Sequence, residues 1–204
     1  MLNSRIFAHR GLWNSTNLPN SKSSLRKAKS AGFSAEVDLR TFLGEICIAH
    51  DAKQLDGAAK LRDILDKEFS LALNIKEDGL LDVLSPFTDF FRTNGSFVFD
   101  GSIPQMYKYY KFGFPHALRL SEFERDLPWS SGIIWLDSFV EDWWIGNDEI
   151  LSLFYDHRVI VVSPELHNRN PLNVWENLRQ LSKKQVGFEI CTDTPQDFLE
   201  FINE

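Results

Sequence analysis

The sequence of 204 residues is short of several things, and each shortage narrows what the chain can be. It has two cysteines, Cys47 and Cys191, each inside an apolar run (EICIA, FEICT) and neither at a metal-ligand spacing. That argues against a disulfide scaffold or thiolate metal site and for buried small apolar residues. Basic residues are outnumbered, 22 against 29 acidic, and the net charge is −7. Nucleic-acid and anionic-membrane binders favour a basic face, so neither partner is expected, although a local basic pocket for a small anion is compatible with the balance. No apolar run reaches the roughly 18 residues that would suggest a transmembrane segment. The opening MLNSRIFAHRG leaves no room for a signal peptide before structure begins, so a cytoplasmic location is expected. There is no linker, repeat or low-complexity stretch, and one domain over 1–204 is expected. The oligomeric state is left open.

What is present is an alternation. Short β-branched or aromatic runs at Arg5–His9, Ala35–Asp38, Leu71–Lys76, Ser96–Asp100, His116–Leu120, Ile133–Asp137, Val159–Ser163 and Phe188–Cys191 are separated by longer amphipathic stretches. Eight such units predict an α/β fold, a compact (β/α)8 barrel. Helices are predicted over Asn20–Ala31, Ala58–Glu68, Leu80–Phe91, Ile103–Phe112, Glu149–Tyr155, Pro171–Leu181 and Pro195–Ile202, and only a turn over Ser121–Gly132, which carries Pro128. Residues 39–50 are too few for a helical crossover. Leu39–Phe42 and Ile46–Ala49 around Leu43-Gly44-Glu45 predict a hairpin that returns His50 to the level of Asp38.

Active sites of such barrels lie at the C-terminal ends of the strands, and polar residues collect there: His9-Arg10, Glu36 and Asp38, Asn74 and Lys76, Asp100, Arg119, Asp137, Ser163 and Glu165, and Thr192-Asp193. The set suits phosphodiester chemistry. Arg10 and Lys76 can hold phosphate oxygens, one through a bidentate fork and one as a point charge. A free imidazole exchanges protons near neutral pH, so of His9 and His50 one can accept a proton while the other donates. Glu36 and Asp38 are two apart on a strand and face the same side. There they could ligate a hard divalent ion, Mg²⁺ or Ca²⁺, or pair with Arg10 and Lys76 without metal.

These residues carry a resemblance. AHRG at Ala8–Gly11, PNS at Pro19–Ser21, EVD at Glu36–Asp38, HD at His50-Asp51, NIK at Asn74–Lys76 and CTDTP at Cys191–Pro195 run in the order of the glycerophosphodiester phosphodiesterase family, within the wider phosphatidylinositol-specific phospholipase C group. The resemblance implies a barrel hydrolysing a small phosphodiester. It makes His9 and His50 the acid–base pair, Arg10 and Lys76 phosphate contacts, and Glu36, Asp38 and the residue at 74 the metal ligands. Arg119 and Trp135 are added as pocket contacts. Two departures stand out. The family has Glu-x-Lys on the third strand where this chain has Asn74, with Glu165, Asp137 or Asp100 as candidates to compensate. Only residues 52–70 fill the place of the subdomain the family inserts after strand two. Two alternatives follow: a metal-free phosphodiester lyase giving a cyclic phosphate, and an inactive barrel that binds a phosphorylated ligand.

Of the other notable residues, Trp135 suits either core packing or the barrel interior, and Trp143-Trp144 a substrate wall, an oligomer surface or packing. His116 and His157 fall at the far mouth as structural residues, and His167 and Arg169 fall on the catalytic side.

Overall fold

The computed structural model describes residues 5–204. Its strands are β1 (Ile6–His9), β2 (Ser34–Phe42), β3 (Glu45–Ile48), β4 (Ala59–Lys60), β5 (Leu71–Ile75), β6 (Phe97–Phe99), β7 (Ala117–Leu120), β8 (Ile133–Leu136), β9 (Arg158–Val162) and β10 (Glu189–Thr192). The helices are α1 (Lys22–Ser30), α2 (Leu81–Leu84), α3 (Thr88–Asn94), α4 (Ile103–Phe112), α5 (Asp148–Asp156), α6 (Leu172–Lys183) and α7 (Pro195–Asn203). Parallel pairing runs β6-β5-β2-β1-β10-β9-β8-β7. A single parallel bridge, Val98 to His116, joins the two ends of this series. The result is the (β/α)8 barrel that the alternation predicts. No helix among the described residues is long and apolar enough to cross a membrane.

Strand parity builds two cores. Ile6, Ala8, Ala35, Val37, Leu71, Leu73, Ile134, Val159, Val161 and Ile190 pack outward under the helices. Phe7, Ala72, Phe97, Phe99, Ala117, Trp135, Ile160, Val162 and Cys191 fill the barrel interior. Each interior residue buries its apolar side chain, which for a fully buried Phe is worth about 1.5–3 kcal/mol. The inward parity then turns polar toward the C-terminal ends: Phe7 is followed two residues on by His9, Ala72 by Asn74, Ala117 by Arg119, Trp135 by Asp137 and Cys191 by Asp193. Alternation along the strands therefore makes both the greasy plug and the polar mouth.

Two predicted helices differ. Over Ala58–Glu68 the chain instead adds β4 to the free edge of β3, with Cys47 opposite Lys60 and Ile48 opposite Ala59, before a 3₁₀ turn at Leu61–Asp63. An open strand edge offers unpaired backbone groups, and the Leu61/Ile64 spacing suits a 3₁₀ turn as well as an α-helix. Over Leu80–Phe91 the helix breaks into α2, a 3₁₀ turn at Ser85–Phe87, and α3. Pro86 lacks the N–H a continuous helix needs. The hairpin forms as predicted, with Leu39 opposite Ile48 and Phe42 opposite Glu45. Its two-residue turn takes positive φ at Leu43 (51°) and Gly44 (79°), the twist that matches paired strands.

Candidate active site

The turn after β1 sets the site. Arg10 has φ 59° and Gly11 φ 85°, while the Arg10 N–H donates to the Glu36 carbonyl (3.0 Å) and that of Gly11 to the Ala8 carbonyl (3.1 Å). A Cβ on Gly11 would lie 2.7 Å from the Ser24 backbone, so only glycine lets α1 pack this closely. The carbonyl of Arg10 accepts from the Asn20 N–H (2.9 Å) and the Ser24 hydroxyl (3.1 Å). This turn carries the Arg10 side chain over β2.

Asp38, with no exposed surface, is the centre of charge. Its Oδ2 pairs with Arg10 Nε (2.9 Å) and accepts from Asn20 Nδ2 (2.8 Å), and Lys76 Nζ lies 3.2 Å from Oδ1. Asn74 sits directly across from Asp38 in the β2–β5 register. Glu36 is equally buried and faces the His9 imidazole, with Oε2 3.9 Å from Nε2. Burial, then the charge of Asp38, push the Glu36 carboxyl up to about 7 against the opposing pull of His9, Arg10 and Lys76. The other ring nitrogen of His9, Nδ1, lies 2.7 Å from Asp193 Oδ1. Burial disfavours the imidazolium, but the Asp193 hydrogen bond and the charges of Glu36 and Asp193 outweigh it, and the His9 pKa stands above the ordinary value.

His50 is brought back by the hairpin: the Ala49 N–H donates to the Asp38 carbonyl (2.9 Å). Its own carbonyl accepts from Arg40 Nε (2.9 Å), and its side chain, 41% exposed, has Asp51 Oδ2 3.4 Å from Nδ1. Arg10, Asn20, Lys22, His50 and Lys60 line a cleft of about 650 Å³ beside the acid pair. The structure thus gathers His9, Arg10, Glu36, Asp38, Asn74 and Lys76 at one part of the mouth, with His50 at its edge.

Arg119 and Trp135 stand elsewhere. Arg119 on β7 is bonded to Asp100 and has Glu124 and Asp137 at 3.7 and 3.9 Å. Asp137 also meets His167 Nε2 at 2.7 Å, so these residues form a group of their own on the β6–β9 side. Trp135 is buried and stacks on Phe99 at 4.0 Å within the interior plug. Trp144 is buried against Phe154, whereas Trp143 is half-buried and donates to the Asp137 carbonyl (2.8 Å). His116 accepts from Trp129 Nε1 (3.1 Å) at the far mouth. Glu165 does not face Glu36 and Asp38; both its oxygens are taken by Ser163, Thr192 and the Asp193 N–H.

Two residues of this site had no role assigned from sequence, Asn20 and Asp193. Both lie inside the PNS and CTDTP motifs, but nothing in either motif says which carboxylate or imidazole it will meet across the barrel.

Among the described residues, Glu36 Oε2, Asp38 Oδ1 and Asn74 Oδ1 are buried and accept no well-formed hydrogen bond, the Lys76 ammonium reaching Asp38 Oδ1 as an ion pair. They come from the three residues named as ligands, and hard oxygen donors of this kind suit Mg²⁺ or Ca²⁺. Two carboxylates and an amide fit such an ion with one negative charge fewer than three carboxylates, and Lys76 competes for Asp38 Oδ1.

Neither a protein-family model nor a curated protein matches the chain. Solved structures do. A glycerophosphodiester phosphodiesterase from Agrobacterium tumefaciens is similar with a TM-score of 0.72 at 14% identity, over 98% of this chain and all of that one. A glycerophosphoryl diester phosphodiesterase from Parabacteroides distasonis is similar with a TM-score of 0.68 at 15% identity, over 97% of this chain and 85% of that one. The barrel of this chain is therefore the fold of the glycerophosphodiester phosphodiesterases.

Proposed function

We propose that the chain is a phosphodiesterase that cleaves a small, glycerophosphodiester-like substrate by acid–base catalysis between His9 and His50. The observation that carries this reading is the arrangement around His9. One ring nitrogen is fixed by Asp193 and the other is turned toward the mouth, beside a buried acid pair backed by Arg10 and Lys76. The fold shared with phosphodiesterases supports it.

Arg10 pairs with Asp38 through Nε, which leaves its two Nη groups for phosphate oxygens, and Lys76 adds a point charge. Arg119 is held among three carboxylates, so phosphate contact is assigned to Arg10 and Lys76, with Trp135 as part of the floor. One histidine takes the proton of the attacking hydroxyl, from water or from a neighbouring group on the substrate, as its oxygen bonds to phosphorus. The other gives a proton to the leaving oxygen as the P–O bond breaks. Glu36, Asp38 and Asn74 would hold Mg²⁺ or Ca²⁺, which when bound supplies charge neutralisation at the phosphate.

Turnover of a phosphodiester panel by His9→Ala and His50→Ala tests the reading: each should lose activity while circular dichroism stays native, and unchanged turnover in both overturns it. For the metal, Asn74→Glu should tighten Mg²⁺ or Ca²⁺ binding measured by calorimetry by about tenfold or more, because it adds the missing charge. Undiminished turnover in excess EDTA with accumulation of a cyclic product would favour the lyase.

A further inference from the structure

Behind Asp193 lies a second carboxylate that does not reach the cleft. Glu165 follows β9 and spans to the end of β10. One oxygen accepts from the Thr192 hydroxyl and from the backbone N–H of Asp193 (3.1 Å). The other accepts from the Ser163 hydroxyl, and the Ser163 oxygen in turn accepts from the Trp175 indole N–H (2.8 Å). Ser163 and Thr192 have no exposed surface, and Trp175 is buried under α7 against Phe198. A carboxylate with both oxygens satisfied by three donors, at the ends of β9 and β10, cannot swing without breaking several bonds. Its hold on the Asp193 backbone fixes where the Asp193 carboxylate points, and that carboxylate meets His9 Nδ1 at 2.7 Å. A rigid supporting shell of this kind determines ring orientation and tautomer.

We propose that Glu165 is a positioning residue for His9, acting through Asp193 so that Nδ1 carries the proton bonded to Asp193 and Nε2 is kept toward the mouth. The structural part stands on these contacts alone, and the kinetic consequence rests on the role proposed above for His9.

The test is the His9 Nδ1–H proton resonance in ¹⁵N-labelled protein, assigned by its loss in His9→Ala. In Glu165→Ala this resonance should disappear through exchange, and kcat on bis(p-nitrophenyl) phosphate should fall about tenfold to a hundredfold with KM little changed. Glu165→Gln, which keeps an acceptor for Asp193 and a group for Ser163, should restore both. Persistence of the resonance in natively folded Glu165→Ala overturns the proposal. Should that variant fail to fold, Thr192→Val removes a single donor, and an unshifted His9 resonance there overturns it equally. If wild-type protein turns over no phosphodiester, the proposed function falls while the resonance still decides the role of Glu165.

Discussion

The two histidines of the mouth are held in opposite ways. His9 is 18% exposed and its side chain is held by Asp193 at one nitrogen, with Glu36 3.9 Å from the other. His50 is fixed through its backbone. Arg40 grips its carbonyl, Arg40 lies 3.8 Å from Glu77, and Glu77 holds the Thr41 N–H (2.7 Å) and hydroxyl near the turn of the hairpin. Its imidazole lines the cleft, and among the described residues Asp51 is the one carboxylate paired with it. A proton-transfer group set by the fold is ready before substrate arrives, whereas one set only at its Cα takes its final rotamer from what binds. Under the proposed mechanism the site is half built in advance, and the His50 half would be completed by the ligand.

Loss of either histidine should have the largest effect, a fall in turnover of about 10²–10⁴-fold. Added imidazole sharpens the comparison: it should rescue His50→Ala, whose side chain opens on the cleft, and leave His9→Ala unrescued. Equal rescue of both would break it. Next come the cations around Asp38. Arg10→Leu leaves a fully buried carboxylate short of a partner, which should destabilise the fold by about 3–5 kcal/mol in urea titration.

Glu36 gives a pH-dependent effect in metal-free protein. Its carboxyl titrates near 4.5 in the unfolded chain and about 7 in the folded one. Between those values the folded state binds the extra proton, so stability falls as pH rises through this window and the penalty is complete above it. Glu36→Gln should therefore be more stable than wild type by on the order of 3 kcal/mol at pH 8 and no more stable at pH 4, read as paired melting curves. The smallest effect is expected at Glu77, on the backbone-held side. Glu77→Ala should speed hydrogen exchange across the β2–β3 hairpin and lower turnover about tenfold, leaving the His9 resonance unmoved.

The pattern of legibility follows from range. All eight barrel strands are legible, because apolar runs and their polar ends are local signals, and these place His9, Asn74 and Lys76 at strand ends while parity puts Glu36 and Asp38 on one side. The hairpin that returns His50 was readable from Gly44 and from the shortness of the segment. Asn20 and Asp193 were not assigned, since their partners Asp38 and His9 lie 18 and 184 residues away. The predicted helix over Ala58–Glu68 failed because the free edge of β3 captured Ala59-Lys60, a tertiary event with no sequence period. Arg119 was grouped with the phosphate contacts on its position at a strand end, and only the structure shows the three carboxylates around it.

The seam of the barrel has a mechanical consequence. The ladder is thinnest between β6 and β7, where one bridge and the Val98 N–H to Pro115 carbonyl bond (3.0 Å) complete the circuit. Away from the seam, one strand off on the β6 side and three on the β7 side, lies the β10-β1-β2-β5 arc, continuously paired, which bears His9, Glu36, Asp38 and Asn74. A barrel that yields under thermal motion will part first along that thin line, like a hoop opening at its clasp. The arc is paired without a break, so it should move as one piece and keep the spacing of its charged groups when the seam opens.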